Sequence, residues 1–367
     1  MKIICEQKAL ANSLNIAQKA VAVKTNMNIL ECILIECSGH QVSLMSNNNE
    51  LGIKTVMEGN VIEEGKVAVN AKVFSEIIRK LPENEVKVSV DDNYLIEIVC
   101  EKSKFRISGR NGEEFPELPE IDRIQGITIS QFNLKEVIRQ TVFSIADSET
   151  NKVMTGELFQ IMDDKLRVIS LDGHRISIRK ITLKDRYTPC KVIVPGKSLI
   201  EISKILTGGV EDEVQIFFSE SGILFLFDQT IVFSRLLEGE FFEVDQMISN
   251  DYETKLNVNR KDFLSCIDRS TLLLKESDKK PLIFNITDES LDMTMNSDIG
   301  SMNEEMEVQK EGKDMMIGFN PRFLMDVLRV IDDENIDIYF FNPKAPCFIR
   351  DQESNYIYLI LPVNFVV

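Results

Sequence analysis

Histidine occurs only twice in these 367 residues, at His40 and His174, far apart in the chain. The seven cysteines (Cys5, Cys32, Cys37, Cys100, Cys190, Cys266 and Cys347) are scattered, odd in number and never spaced Cys-x-x-Cys. Zinc and haem sites need clustered thiolate or imidazole ligands, so no metal site and no cofactor are expected. The thiols read as reduced and packed, as in a cytoplasmic protein. No apolar run is long enough to cross a membrane, and the start, MKIICEQKALANSL, has too short an apolar stretch for a signal peptide. No membrane partner is expected. Positive charge is also scarce, with 42 Lys and Arg against 59 Asp and Glu for a net −17. Phosphate contacts need Lys and Arg, so this balance at first argues against nucleic acid. Apolar residues, in contrast, make up 44% of the chain, enough at this length for a sizeable core divided over two or three domains.

An internal period organises the chain. NAKVFSEIIRKL from Asn70, PGKSLIEISKIL from Pro195 and NPRFLMDVLRVI from Asn320 follow one another at intervals of 125 residues. Val73, Phe74, Ile77, Ile78 and Leu81 coincide with Phe323, Leu324, Val327, Leu328 and Ile331, the stripe of an amphipathic helix with one buried face. Asn320 before Pro321 reads as an N-cap and a first-turn proline. The middle copy has a weaker stripe, interrupted by Ser198 and Ser203. An earlier amphipathic segment precedes each of these helices: QKALANSLNIAQKAVA, SQFNLKEVIRQTVFSIA and NRKDFLSCIDRSTLLLK. Alternating runs such as ILECILIEC and KLRVISLDGHRISI read as half-buried strands. The expectation is an α+β chain of three tandem copies of a two-helix, antiparallel-sheet domain, spanning 1–124, 125–252 and 253–367.

Charge follows the same division. The six helical windows hold 15 Lys and Arg against 6 Asp and Glu, while the remainder holds 27 against 53. The repeated triplets Lys72–Glu76–Arg79, Lys197–Glu201–Lys204 and Arg322–Asp326–Arg329 read as solvated faces with weak ion pairs along each helix. Basic helices on one side of an acidic body would attract a polyanion without reading its sequence.

The segment SLDGHRISI, Ser170–Ile178, gathers Ser170, Asp172, His174 and Arg175. Spacing leaves three roles open for His174: an acid-base catalyst, a turn residue or the wall of a binding site. The corresponding positions of the other copies read NNNEL and NSDIG and offer no such set, which weighs against catalysis. A hydrolase centred on His174 and a monomeric interaction scaffold are the alternatives to a DNA-tethering protein.

MTGELF before KLRVISLDGHRISI, the GEEFPELP turn, IGFNPRFLMDVL and the terminal YLILPVNF together resemble the bacterial DNA polymerase III β subunit, the sliding clamp family. The resemblance covers the whole chain. It implies the DNA clamp fold, ring-forming as a head-to-tail homodimer whose twelve helices line a hole around duplex DNA. It also implies a non-catalytic processivity factor. The implied partners are double-stranded DNA, the DNA polymerase III α subunit, the clamp loader and other proteins carrying a clamp-binding motif. Phe241-Phe242-Glu243-Val244 stands where the family usually has Phe-Pro-Asp-Tyr, and Asn28 replaces an early proline. Asn364 replaces a common arginine, with Phe365-Val366-Val367 beyond it.

The resemblance places a partner-peptide cleft at Met154, Leu171, Gly173, His174, Arg175, Ile176, Phe242 and Met247, joined by Asn320, Phe323, Ile360, Leu361, Pro362 and Val363. His174 and Arg175 are expected to form its polar rim. DNA-facing positions are Lys24, Lys72, Arg79, Asn151, Lys152, Lys197, Lys204, Arg322 and Arg329. The dimer contact falls on Phe105, Leu272 and Leu273, with a charge at Leu273 expected to give monomers.

Overall fold

All six amphipathic windows form helices in the computed structural model, which describes residues 1–147, 151–275, 280–288 and 290–365. Val366 and Val367 lie outside the described residues. The helices are α1 (Gln7–Ala17), α2 (Ala71–Lys80), α3 (Gln131–Thr141), α4 (Gly196–Ile205), α5 (Arg260–Thr271) and α6 (Pro321–Val330). Three of them start on an asparagine whose side chain accepts from the first-turn N–H groups. Asn70 accepts from Val73 N, Asn259 from Lys261 N and Asp262 N, and Asn320 from Arg322 N. Each cap satisfies donors that have no partner inside the helix. The predicted stripes bury Phe74 and Ile78 on α2, and Leu324, Val327 and Leu328 on α6. Val73 departs from the expectation and is exposed, because it lies on the flank of its stripe. In the middle copy, Ser198 is buried and is satisfied by the Ser234 hydroxyl at 2.8 Å. Among the described residues no helix is long and apolar enough to cross a membrane.

Strand pairing divides the chain into two compact units, residues 1–134 with 197–236 and residues 135–196 with 237–367. The first unit holds a single 13-stranded antiparallel sheet. Leu10, Leu14, Phe74 and Ile78 of α1 and α2 pack on it against Ile33, Ile35, Val67, Val69 and their neighbours. Within this sheet Thr230–Arg235 pairs with Leu51–Glu58, from Thr230 opposite Thr55 to Ser234 opposite Leu51. The second unit holds a seven-stranded and a four-stranded sheet. Phe263 and Ile267 of α5 and Leu324 and Leu328 of α6 are buried in a core that draws on both sheets. Here Arg175–Pro195 pairs with Tyr356–Ile360, from Arg175 opposite Ile360 to Arg179 opposite Tyr356. The compact units therefore cut through the expected middle copy, whose strands join one neighbouring copy at each end.

A two-residue hairpin turn occupies corresponding positions in the three copies. Asn48 Oδ1 accepts from the N–H groups of Glu50 and Leu51, Asp172 Oδ1 from those of His174 and Arg175, and Ser297 Oγ from that of Ile299. Short side chains that bond the backbone two residues on are suited to such turns. Asn49 and Gly173 take a positive φ, at 73° and 88°, whereas no residue of the Ser297 turn does.

One buried carboxyl runs against the pattern. Glu157, on Gly156–Leu171, is fully buried, and neither of its oxygens has a hydrogen-bond partner among the described residues. Burial pushes its pKa well above the ordinary value, and the nearby Thr141 hydroxyl is committed to the Val137 carbonyl at 2.7 Å. The folded protein thus keeps this proton over a pH range in which the unfolded chain, titrating near about 4.3, gives it up. Its contribution to stability falls as pH rises, by at most about 1.4 kcal/mol per pH unit. Glu157→Gln mimics the protonated form. The stability of this variant relative to the parent, measured by denaturant unfolding, should grow as pH rises above the ordinary carboxylate range; a constant difference would contradict the assignment.

Candidate partner-binding site

The Asp172–Arg175 turn is held by more than its backbone. Asp172 Oδ2 accepts from Arg175 Nε at 2.9 Å. The same guanidinium reaches Asp326 Oδ2 on α6 at 2.6 Å and the Phe143 carbonyl at 2.5 Å. Its Cζ lies 4.3 Å from the centre of the Phe323 ring, within range for a cation–π contact. Arg175 is only 8% exposed. Burial opposes its charge, yet Tyr358, Asp326 and Asp172 together hold its pKa above the ordinary value. This corrects two expectations. Arg175 is an interior tie between the turn, the chain after α3 and helix α6, not a polar rim. Asp326, expected on a solvated helix face, is turned to that tie.

His174 is exposed, and its ring stacks on Phe323 with centroids 6.2 Å apart. Asp172 is occupied by backbone N–H groups and Arg175, while the buried Ser170 hydroxyl donates to the Thr141 carbonyl at 2.6 Å. Neither is placed to activate the imidazole, so the arrangement is that of a turn and a surface. The His174 carbonyl accepts from Leu361 N at 2.8 Å, which brings the segment after Tyr356–Ile360 alongside the turn.

The remaining candidates separate by depth. Leu171 and Ile176 are buried in an apolar cluster with Val153, Leu158, Ile178, Val244 and Leu359. Ile360 faces the opposite core and is fully buried, because strand alternation turns it away from Leu359. These three residues support the surface instead of forming it. Met154, Phe241 and Ile248 pack against the same cluster. Segment 241–248 is pinned by buried Val244, and Arg167 meets Asp245 at 2.6 Å. The hydrogen bond from Arg167 holds the Asp245 carboxyl below its ordinary pKa. Arg350 extends the anchoring by donating to the Ser249 carbonyl. The pinned segment leaves Phe242 and Met247 exposed, Met247 by 50%. Leu361 is 39% exposed, Gly173 is exposed, and Phe323, Pro362 and Val363 are half-buried. Asn320 is half-buried and committed to capping α6. Sequence reading missed Phe143, Arg167, Asp326 and Arg350 as partners, since none lies near its contact in the chain.

Lys24, Lys72, Arg79, Asn151, Lys152, Lys197, Lys204, Arg322 and Arg329 are all exposed. Several are partly engaged: Lys204 with Glu201 at 2.6 Å, Arg329 with Asp268 at 3.8 Å, and Arg322 with the Lys275 carbonyl at 3.0 Å. Phe105 is exposed on Ser103–Asn111. Leu272, just past α5, is 77% exposed, whereas Leu273 packs against the core of the second unit. A charge at Leu273 would therefore damage that core, which removes it as a clean test of a dimer contact.

Comparison with known proteins places the whole chain. Residues 1–119, 128–243 and 245–364 match the N-terminal, central and C-terminal domains of the DNA polymerase III beta subunit, in that order. A beta sliding clamp of Staphylococcus epidermidis is 32% identical over 375 residues, covering 99% of each chain. The crystal structure of the DNA polymerase sliding clamp from Bacillus subtilis superposes with a TM-score of 0.95 at 32% identity over 100% of both chains. A structure from Eubacterium rectale ATCC 33656, assigned to the DNA polymerase III beta subunits, gives 0.95 at 55% identity over the same coverage. This chain belongs to the DNA polymerase III beta subunit family, the beta sliding clamps, which are processivity factors and not themselves catalysts.

Proposed function

We propose that two copies of this chain close head to tail into a ring around duplex DNA, and that the surface around His174 captures short peptides from the proteins the ring serves. The partners are the DNA polymerase III α subunit, the clamp loader and other proteins with a clamp-binding motif, working in the cytoplasm. Each chain would contribute three clamp domains, 1–124, 125–252 and 253–367. The observation that carries the peptide site is the exposure of Phe242 and Met247 on a segment packed against the same cluster as Leu171 and Ile176, together with exposed Leu361 bonded to an anchored turn that supplies no catalytic set. Extended peptides bind through a few apolar anchors that carry most of the energy, and methionine adapts to differing anchors. The exposed basic residues on α2, α4 and α6 suit contact with phosphates without base readout.

Two sheet edges support the dimer. Ser103–Ser108 pairs on only one side among the described residues, with Leu95–Cys100, and carries Lys104 and Arg106. Ser301–Glu307 ends the four-stranded sheet and carries Glu304, Glu305 and Glu307. Unpaired edges invite pairing with another chain, and the opposite charges favour these two edges over like pairs.

Met247→Ala and Leu361→Ala should each weaken binding of a labelled polymerase-derived peptide by about 1–2 kcal/mol and leave the native mass unchanged. Arg175→Ala should behave differently, lowering folding stability by about 3–5 kcal/mol because it strands Asp172 and Asp326. Peptide binding by the Met247/Leu361 double variant as tight as by the parent would remove the site.

The parent should run at twice 41.9 kDa by native mass. Leu272→Asp should shift it toward monomer without unfolding, and an unshifted dimer at nanomolar concentration would count against this contact. After loading, the protein should stay on circular DNA and leave when the circle is cut. Tight, sequence-specific binding to a short linear duplex would refute the topological reading.

A further inference from the structure

Beyond Ile360 the chain leaves the seven-stranded sheet and meets an edge of the four-stranded one. Leu361 N donates to His174 O, and two residues later Val363 N donates to Gly318 O, both at 2.8 Å. Gly318 lies on Met315–Phe319, the strand at the opposite end of the four-stranded sheet from Ser301–Glu307, and pairs on its inner side with Ile283. An edge strand leaves backbone groups unpaired, and Val363 takes up one of them.

Gly318 has no positive φ, so nothing in its own backbone calls for glycine. A Cβ at this position would fall 2.8 Å from Phe365 Cδ1 and 3.0 Å from Val363 O. The segment lying across Gly318 is what excludes a side chain. The half-buried Phe365 ring and the Val363 carbonyl rest on a bare patch of backbone. Leu361, Pro362 and Val363, one end of the proposed peptide surface, are thus tied at both ends, to the Asp172–Arg175 turn and to Gly318.

We propose that Gly318 and Phe365 form a latch that holds Leu361–Val363 in the geometry needed to grip a partner peptide, making both of them positioning residues for that surface. The proposal rests on the reading of Leu361 as part of a peptide site. A strap already ordered before binding spares the complex the entropy of ordering it. Freeing it should weaken binding by about tenfold for each residue that must be re-ordered.

The test uses the full-length protein in four forms besides the parent: Gly318→Val, Gly318→Ala, Phe365→Ala and the Gly318→Ala/Phe365→Ala double variant. Hydrogen exchange without peptide reads the latch directly. The Val363 amide should be protected in the parent and lose that protection in Gly318→Val, with the melting transition retained. Affinity for a fluorescein-labelled peptide copying the clamp-binding segment of the DNA polymerase III α subunit reads the consequence. Gly318→Ala should weaken that affinity severalfold in the parent and have little effect once Phe365 is alanine, since the ring it displaces is gone. Three results overturn the proposal: an unprotected Val363 amide in the parent, independent effects of the two substitutions, or unchanged affinity after protection is lost. A parent that binds no peptide would instead sink the peptide-site reading, while the exchange data would still decide whether the latch exists.

Discussion

The second unit depends on one buried charge. Arg175 is almost fully removed from water, and its guanidinium is satisfied by two carboxylates, a carbonyl and an aromatic face from three separate stretches of chain. A charge so placed is tolerated only while every partner is present, so it fixes their relative positions as well as its own. The turn, helix α6 and the chain after α3 are thereby indexed to one another. His174 inherits its place from the residue that follows it. Its ring lies on Phe323 because the neighbouring guanidinium already holds that side chain.

What could be read from the sequence was what depends on short-range periodicity. The six helices follow from their apolar stripes, three of their starts from asparagine caps, and the three-fold design from the 125-residue interval. The Asp172 turn was legible in part, since Asp-Gly at a strand end is a turn signal. What failed were judgements of depth. Asp326 shares its helix position with Glu76 and Glu201, and that repetition disguised it as a surface acid although its partner lies 151 residues away. Leu272 and Leu273 read alike as the end of a helix, but α5 stops at Thr271, and the turn beyond it sends one outward and the other into the core. Glu157 belongs by type to the surface and by strand alternation to the interior, and the alternation prevailed. The division into two units depends on pairing between strands from successive copies, for which no local pattern exists.

Charge segregation also changes meaning in three dimensions. The acidic excess outside the helices is not spread uniformly, since it supplies the counter-charge Asp172, the glutamates of one sheet edge and the anchor Asp245. A net negative chain can therefore present locally positive helices, because much of its acid content is committed elsewhere.

The recurring hairpin turn lets one copy serve as a reference for another. Asn48 and Asp172 close hairpin turns of one kind with an amide and a carboxylate, each with a positive φ at the next residue, while Ser297 caps a turn that lacks it. Leu51 occupies in the first copy the place that Arg175 occupies in the second, and it too is buried. The fold accepts leucine there without further adjustment. Descent from a common repeat would then require two coupled replacements at an existing turn, an acid at its first residue and an arginine at its fourth, to convert a plain structural corner into a junction between neighbouring copies. The desolvated arginine, at a position where the first copy buries an aliphatic side chain, makes a connection between copies that closure of the turn does not itself require.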